Sequence, residues 1–235
     1  MIRSRTFCES RTILLALALL LVSGAASRLS ADAIAMSDCL PPADPNDAYV
    51  GQFHHYAAGG HTYDLTNPIH AAFTMCSSPP LTGTVLDTFD STVSGNLFVD
   101  GTFLTNFTGD AHTMVNVTFH GSSGPTRVFD TEMIQLDISG PSGPSGPLIR
   151  ESPTLHSLGQ TTITDLGSGQ FRIDSFFDVF TELSLDGGNN WIPSSGPDQG
   201  GTVMTLETMP EPASLFLLGT GLIAGAYRWR KHQNA

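Results

Sequence analysis

The chain has 235 residues, with 10 Lys and Arg against 22 Asp and Glu, and a formal net charge of −12. Between Leu29 and Met209 three arginines stand against 20 acidic residues, which gives this stretch a formal charge of −17. So acidic a body excludes nucleic acid as a partner, because phosphate binding needs clustered Lys and Arg.

The N-terminal residues predict export. Arg3, Arg5 and Arg11 precede an uncharged apolar run, Ile13–Val22, and small residues follow at Ser23–Ser27. This layout is typical of a secretory signal peptide, here residues 1–26, cut after Ala25 or Ala26. The alternative is an uncleaved N-terminal membrane anchor. Either outcome takes the body through an export translocon.

Cysteine usage agrees with an exported body. Cys8 lies in the predicted signal peptide, which leaves Cys39 and Cys76. An even pair in an exported chain predicts one disulfide, and two free thiols are the alternative.

The body, residues 27–208, predicts an all-β fold. Short runs rich in Val, Ile, Thr and Phe alternate with Gly, Asn, Asp and Pro, and no helical periodicity is sustained. Their spacing favours a β-sandwich or jelly roll, with a tight hairpin turn at Asp100-Gly101. The strand candidates are Thr82–Phe89, Asn96–Phe98, Thr102–Phe107, Val115–Phe119, Val128–Ile138, Thr161–Leu166, Gln170–Leu185 and Thr202–Glu207.

Two loops interrupt this pattern. Gly140–Pro147 is a short Gly-Pro-Ser repeat, too brief for a collagen helix, and Pro193–Gly201 is a second polar loop. We interpret the first as a loop within one domain; a body of two parts is the alternative.

The sharpest local motif in the body is Ser184, Asp186, Gly188 and Trp191. It resembles the Asp-box of sialidases and other propellers, where the box is a fold element remote from catalysis. We expect a stabilised hairpin in which Asp186 bonds its own turn and Gly188 has a positive φ. A single calcium or sugar contact at this turn is the alternative.

Nothing in the body predicts a catalytic residue. No nucleophile elbow, zinc-binding helix motif or phosphate loop is present. His54, His61 and Asp64 have ligand chemistry, but we interpret them as polar loop residues. Two carboxylates could flank a glycosidic bond, which keeps glycoside cleavage as an alternative. The carboxylate pairs are Asp174 with Asp178, Glu132 with Asp137, and Asp87 with Asp90.

The C-terminal segment, residues 209–235, has three parts in order. Pro210-Glu211-Pro212 precedes the uncharged run 213–227, predicted as a transmembrane helix, and the basic cluster of Arg228, Arg230 and Lys231 follows. That run is shorter than the roughly 20 residues that cross a bilayer comfortably. The basic cluster predicts a cytoplasmic C-terminus with the body outside. A simple membrane tail anchor is the alternative.

These residues resemble the PEP-CTERM sorting signal of bacteria. The resemblance implies an exosortase-type processing enzyme as a partner, with cleavage near the tripeptide. It implies a transient stage in the inner membrane and then release or display at the cell surface, and it associates the protein with extracellular polysaccharide.

The sequence thus predicts an exported cell-surface or matrix protein, sorted by its tail, whose body is non-enzymatic and holds no cofactor or metal. A carbohydrate-binding or glycoside-cleaving jelly roll is one alternative. A calcium-stabilised structural module is another.

Overall fold

The computed structural model describes residues 33–140, 147–196 and 200–209. In this part of the chain the regular structure is all β. The predicted signal peptide, the Gly-Pro-Ser loop and the sorting tail lie outside the described residues, apart from Gly140, Pro147 and Met209. The strands are β1 Ala33–Ala35, β2 Asp47–Val50, β3 Phe53–Ala58, β4 His61–Ala71, β5 Thr84–Val99, β6 Thr102–Ser123, β7 Thr126–Ser139, β8 Leu148–Glu151, β9 Ser157–Gly167, β10 Gln170–Val179, β11 Thr181–Ser184, β12 Ile192–Pro193 and β13 Thr202–Thr208.

The sheet closes on itself as an eight-stranded antiparallel barrel. Its neighbours run β2, β4, β5, β6, β7, β9, β10 and β13, and β13 pairs back onto β2 through Leu206 opposite Tyr49. The prediction of a sandwich or jelly roll is therefore wrong. Strand spacing does not separate these folds, because each buries one face of every strand; the pairing of the last strand with the first decides it.

Shorter strands extend the barrel at one end. β3 pairs with β4, while β8 pairs with both β7 and β11, and β11 pairs with β12. A bridge between Tyr56 and Ser194 then joins the last of these segments to β3. The barrel is thus an up-and-down meander in which four of the eight strands are broken into two segments.

Alternating burial explains why these sequences form this barrel. In β5, Asp87, Phe89, Ser91 and Val93 are buried, whereas Thr88 and Asp90 between them are exposed. Eight strands enclose an interior that side chains just fill. Accordingly, the interior cavities lined by Phe89 and by Val93 have volumes of about 30 and 20 Å³, respectively.

The hairpin turn predicted at Asp100-Gly101 is confirmed. The two residues connect β5 to β6 with φ angles of 49° and 73°, so both adopt the left-handed conformation that a tight two-residue hairpin requires.

A disulfide closes one end of the barrel. Cys39 and Cys76 are bonded, with their Cα atoms 5.3 Å apart. Leu40 and Ser77, the next residues, exchange backbone hydrogen bonds at 2.9 and 2.8 Å. Because Leu40 and Pro41 line the larger interior cavity, this cross-linked pair of segments covers that end of the core.

Candidate functional site

The barrel interior contains polar side chains that pair with one another. The hydroxyl of Tyr49 donates to Ser175 at 2.9 Å, and Ser175 bonds Thr161 at 2.7 Å. Tyr56 bonds Thr181 at 2.6 Å, and Thr181 bonds Nδ1 of His54 at 3.2 Å. Because these groups are satisfied by each other and the space beside them is water-sized, the interior is a packed core with polar links.

Two histidines belong to this core, and for one of them, His54, the interpretation as a polar loop residue is wrong. The segment is the β3–β4 hairpin, in which Gly59-Gly60 is the turn. His54 faces inward from β3, while Asp64 faces outward and bonds His55. His61 bonds Asp100 at 2.8 Å. His54, His61 and Asp64 therefore do not converge, since they lie on different faces or pair elsewhere.

The second buried histidine, His70, comes from β4. Its Nε2 contacts the hydroxyl of Ser91, and that hydroxyl donates to the carbonyl of Ala111. Burial lowers the pKa of His54 and of His70 to about 4, because no solvent reaches the ring to stabilise the charged form.

The carboxylate pairs named from the sequence differ in whether their two members lie on the same face of the barrel. Asp87 is buried inside the barrel, where burial raises its pKa, while Asp90 lies on the outer face, so the two cannot act together. Asp174 and Asp178 share the outer face of β10, as the two-residue period of a strand requires.

A carboxyl group that the sequence did not single out has the largest pKa shift among the described acidic residues. Burial raises the pKa of Glu151 to about 7, against the hydrogen bonds that it accepts from Ser157 and with a contribution from the nearby charge of Glu132. Glu132 in turn pairs with His156 at 2.6 Å. Glu151 lines neither the interior cavities nor the surface trough described next.

A row of polar and charged side chains crosses the outer face of the barrel. His112 on β6 lies directly opposite Asp90 on β5 and Asp137 on β7, and its Nδ1 donates to Asp90 at 2.7 Å. Arg150 on β8 lies opposite Asp137 and donates to Glu182 at 2.9 and 2.7 Å. Directly opposed side chains on neighbouring strands are in contact range, so this row is one continuous polar strip.

The strip ends at the indole of Trp191. Its ring lies 4.1 Å from Cζ of Arg150, a cation–π contact, and the residue is half-buried. Trp191, Asp90, His112 and Asp137 are among the residues that line a solvent-open trough of about 690 Å³ over β5–β8. The trough is much larger than either interior cavity.

Hydrogen bonds within the turn before Trp191 stabilise its backbone. Oδ1 of Asp186 accepts the N–H groups of Asn189 and Asn190 at 3.1 and 2.9 Å, and the hydroxyl of Ser184 at 2.9 Å. Gly188 has a φ of 89° and donates to Ser184. The hydrogen bonds from Asn190 lower the pKa of Asp186. The geometry is that of a self-bonded turn between β11 and β12.

No described helix is long and apolar enough to span a membrane. The predicted transmembrane helix, 213–227, lies outside the described residues.

The family model described as the PEP-CTERM protein-sorting motif matches residues 210–231. The chain carries a PEP-CTERM sorting signal. Residues Pro210, Glu211 and Pro212, the apolar run and the basic cluster Arg228, Arg230 and Lys231 all fall within the matched range.

The PEP-CTERM signal supports export across the membrane and processing by an exosortase-type enzyme. No curated protein and no solved structure matches the chain.

The PEP-CTERM signal starts immediately beyond the barrel. β13 pairs with β2 as far as Thr208 opposite Asp47, and Thr208 also donates its hydroxyl to Asp47 at 2.8 Å. The backbone N–H of Met209 donates to the carbonyl of Asn46. The last strand of the barrel is therefore hydrogen-bonded up to the residue before Pro210.

Proposed function

We propose that this chain is an exported, non-enzymatic barrel that is sorted by its PEP-CTERM signal and displayed at the cell surface or in the extracellular matrix. The match at residues 210–231 carries the proposal. The charge of the body and the disulfide between Cys39 and Cys76 support it, since both suit an exterior, oxidising compartment.

The positions of the side chains with acid–base chemistry support a non-enzymatic role. The interior cavities have room only for water, so a substrate has no enclosed site there. The carboxyl with the most strongly raised pKa, Glu151, lines none of the three cavities. The other side chains with acid–base chemistry, such as His112 and Asp90, pair with each other on an open face.

The experiment is fractionation of cells that express the full chain with Pro210, Glu211 and Pro212 replaced by alanine. We expect the variant to remain unprocessed in the membrane fraction, while the parent chain reaches the surface. A variant with Ser122→Ala and Ser123→Ala, exposed at the end of β6, is the matched control and should behave as the parent. Unchanged surface display of the tripeptide variant would contradict the proposal.

The proposal includes no bound cofactor. The full chain should therefore melt at the same temperature with and without EDTA. A melting temperature that falls on chelation and recovers with Ca²⁺ would favour the calcium-stabilised module instead.

A further inference from the structure

The trough over β5–β8 has the dimensions and the chemistry of a ligand site. Its volume of about 690 Å³ falls within the roughly 300–1,000 Å³ of typical ligand pockets. Thr74, whose backbone N–H and hydroxyl both bond the carbonyl of Asp90, borders one side, and Trp191 borders the other.

Two parallel rows of polar groups make the floor. The first is the strip of Asp90, His112 and Asp137. The second, one pleat along the strands, places Thr92 opposite Asp110 and Asp110 opposite Ser139, and the hydrophobic Leu148 follows. Four strands lie about 4.8 Å apart, so the floor spans three such spacings. A floor of this length suits a short linear ligand.

The donor and acceptor set selects hydroxyl groups. Asp90, Asp110 and Asp137 are acceptors when ionised, and Ser139 and Thr92 both donate and accept. Arg150 and His112 hold the strip in place through their contacts with Glu182 and Asp90. A ligand that donates many hydrogen bonds in a row would satisfy these oxygens.

Trp191 adds an apolar surface at the end of that polar floor. Arg150 packs over its ring at 4.1 Å, and the self-bonded turn lies near the ring at Gly188, where an added Cβ would be 3.7 Å from Cζ2 of Trp191. An aromatic ring with an immobilised position loses little conformational entropy on binding. A saccharide combines an apolar face of C–H groups with an edge of hydroxyls, which matches a Trp wall beside rows of carboxylates.

Two other ligand classes fit the trough less well, anionic polymers and single divalent cations. Asp90, Asp110 and Asp137 line the trough and no described Lys or Arg does, so polymers rich in uronate or phosphate are repelled. A single divalent cation is also disfavoured, because no group of three metal-ligating side chains exists among the described residues. We propose that the trough binds a neutral saccharide chain, an inference that rests on the proposed display of the barrel outside the cell.

The test is affinity gel electrophoresis of the purified full chain in gels that contain a neutral β-glucan, a neutral galactomannan or polygalacturonate. We expect retardation in at least one neutral gel and none in polygalacturonate. Trp191→Ala should weaken that binding about tenfold or more, since buried aromatic anchors dominate such sites. Phe103→Ala, which removes an exposed aromatic at the far β5–β6 turn, should not change it.

A second variant distinguishes loss of the binding site from loss of the fold. His112→Gln removes an exposed side chain from the middle of the strip and should weaken binding with no change in melting temperature. Binding to neither neutral polymer, or equal binding by the parent, Trp191→Ala and His112→Gln, would overturn the proposal. So would salt-sensitive binding to polygalacturonate alone. Failure here leaves the sorting experiment untouched, because that experiment measures localisation of the tripeptide variant.

Discussion

The backbone N–H of Met209 donates to the carbonyl of Asn46 at 2.7 Å, one residue before the sorting motif begins. Proteases and related enzymes commonly bind a substrate as an extended strand through its backbone groups. On the N-terminal side of the motif, the backbone of residues 205–209 is already paired with β2 and with Asn46. The processing enzyme therefore cannot pair with the backbone of Thr208 and Met209 unless the end of β13 opens.

This junction predicts that a spacer accelerates processing. Insertion of Gly-Ser-Gly-Ser between Met209 and Pro210 should raise the fraction of processed chain at early times, measured by pulse-chase and immunoblotting. The same spacer inserted at Asp100-Gly101, at a distant hairpin, is the control and should leave the rate unchanged. An unaltered or slower rate with the junction spacer would mean that the barrel end does not restrict access.

Acid should destabilise the barrel through its buried histidines. The pKa of His70 is about 4 in the folded chain against 6.5 for an ordinary His, so the unfolded chain binds the proton more tightly. The stability that the neutral ring contributes is complete above pH 6.5 and is lost as the pH falls toward 4. His70→Gln should therefore reduce the loss of stability between pH 7 and pH 4 by about 3 kcal/mol.

Urea unfolding at the two pH values measures this difference. Thr88→Ala, at an exposed position of β5 without a titratable group, is the control and should retain the pH dependence of the parent chain. Equal pH dependence of His70→Gln and the parent would contradict a neutral buried ring.

Glu151 should make the folded chain less stable as the pH rises, whereas the buried histidines make it less stable as the pH falls. Its pKa is raised from 4.5 to about 7, so its contribution to stability is complete below pH 4.5 and is lost as the pH rises through 7. Glu151→Gln should thus stabilise the chain at pH 8 relative to pH 4.5, by about 1–2 kcal/mol after allowance for solvent screening. Thermal unfolding at both pH values, with Glu207→Gln as the comparison, checks the sign; a gain confined to pH 4.5 would be the wrong sign.

Loss of the disulfide should cost about 3 kcal/mol of unfolding free energy, because it cross-links two segments far apart in sequence. The double variant Cys39→Ser and Cys76→Ser should unfold at lower urea concentration than the parent. Reducing agent should lower the parent to the same value and leave the variant unchanged. A parent that does not respond to reduction would contradict the bond.

The turn before Trp191 should depend on Asp186. Asp186→Ala removes the acceptor of two backbone N–H groups and should lower the melting temperature of the chain. Asp186→Asn retains one acceptor oxygen and should lower it less. Equal melting temperatures of the two variants would show that these hydrogen bonds contribute little.

Local pattern predicted much of the strand content and little of the strand length. The pattern predicted strands at 82–89 and 96–98, and the structure contains one strand across both, because Gly95 remains extended where a Cβ would lie 2.8 Å from Leu65. Gly109 has the same role in β6, where an added Cβ would lie 2.6 Å from the carbonyl oxygen of Ser139. A glycine that permits close approach of a neighbouring strand is indistinguishable in sequence from one that ends a strand.

The first strands were missed for a related reason. His, Gly and Pro between 47 and 71 suggest a polar loop, but β4 pairs with β5 and thereby becomes part of the barrel wall. His54 and His70 are buried with polar partners only because β11 supplies Thr181 and β5 supplies Ser91. No local signal encodes such partners.

By itself, the sequence determined the sorting signal of this protein, its charge, its all-β character and the turn at Asp100-Gly101. Each depends on residues that are neighbours along the chain. Only the tertiary structure decided that β13 closes on β2 and that Asp90, His112, Asp137 and Arg150 form one strip beside Trp191. Strand register sets those contacts, and register follows from burial of the whole inner face, which no short stretch of sequence specifies.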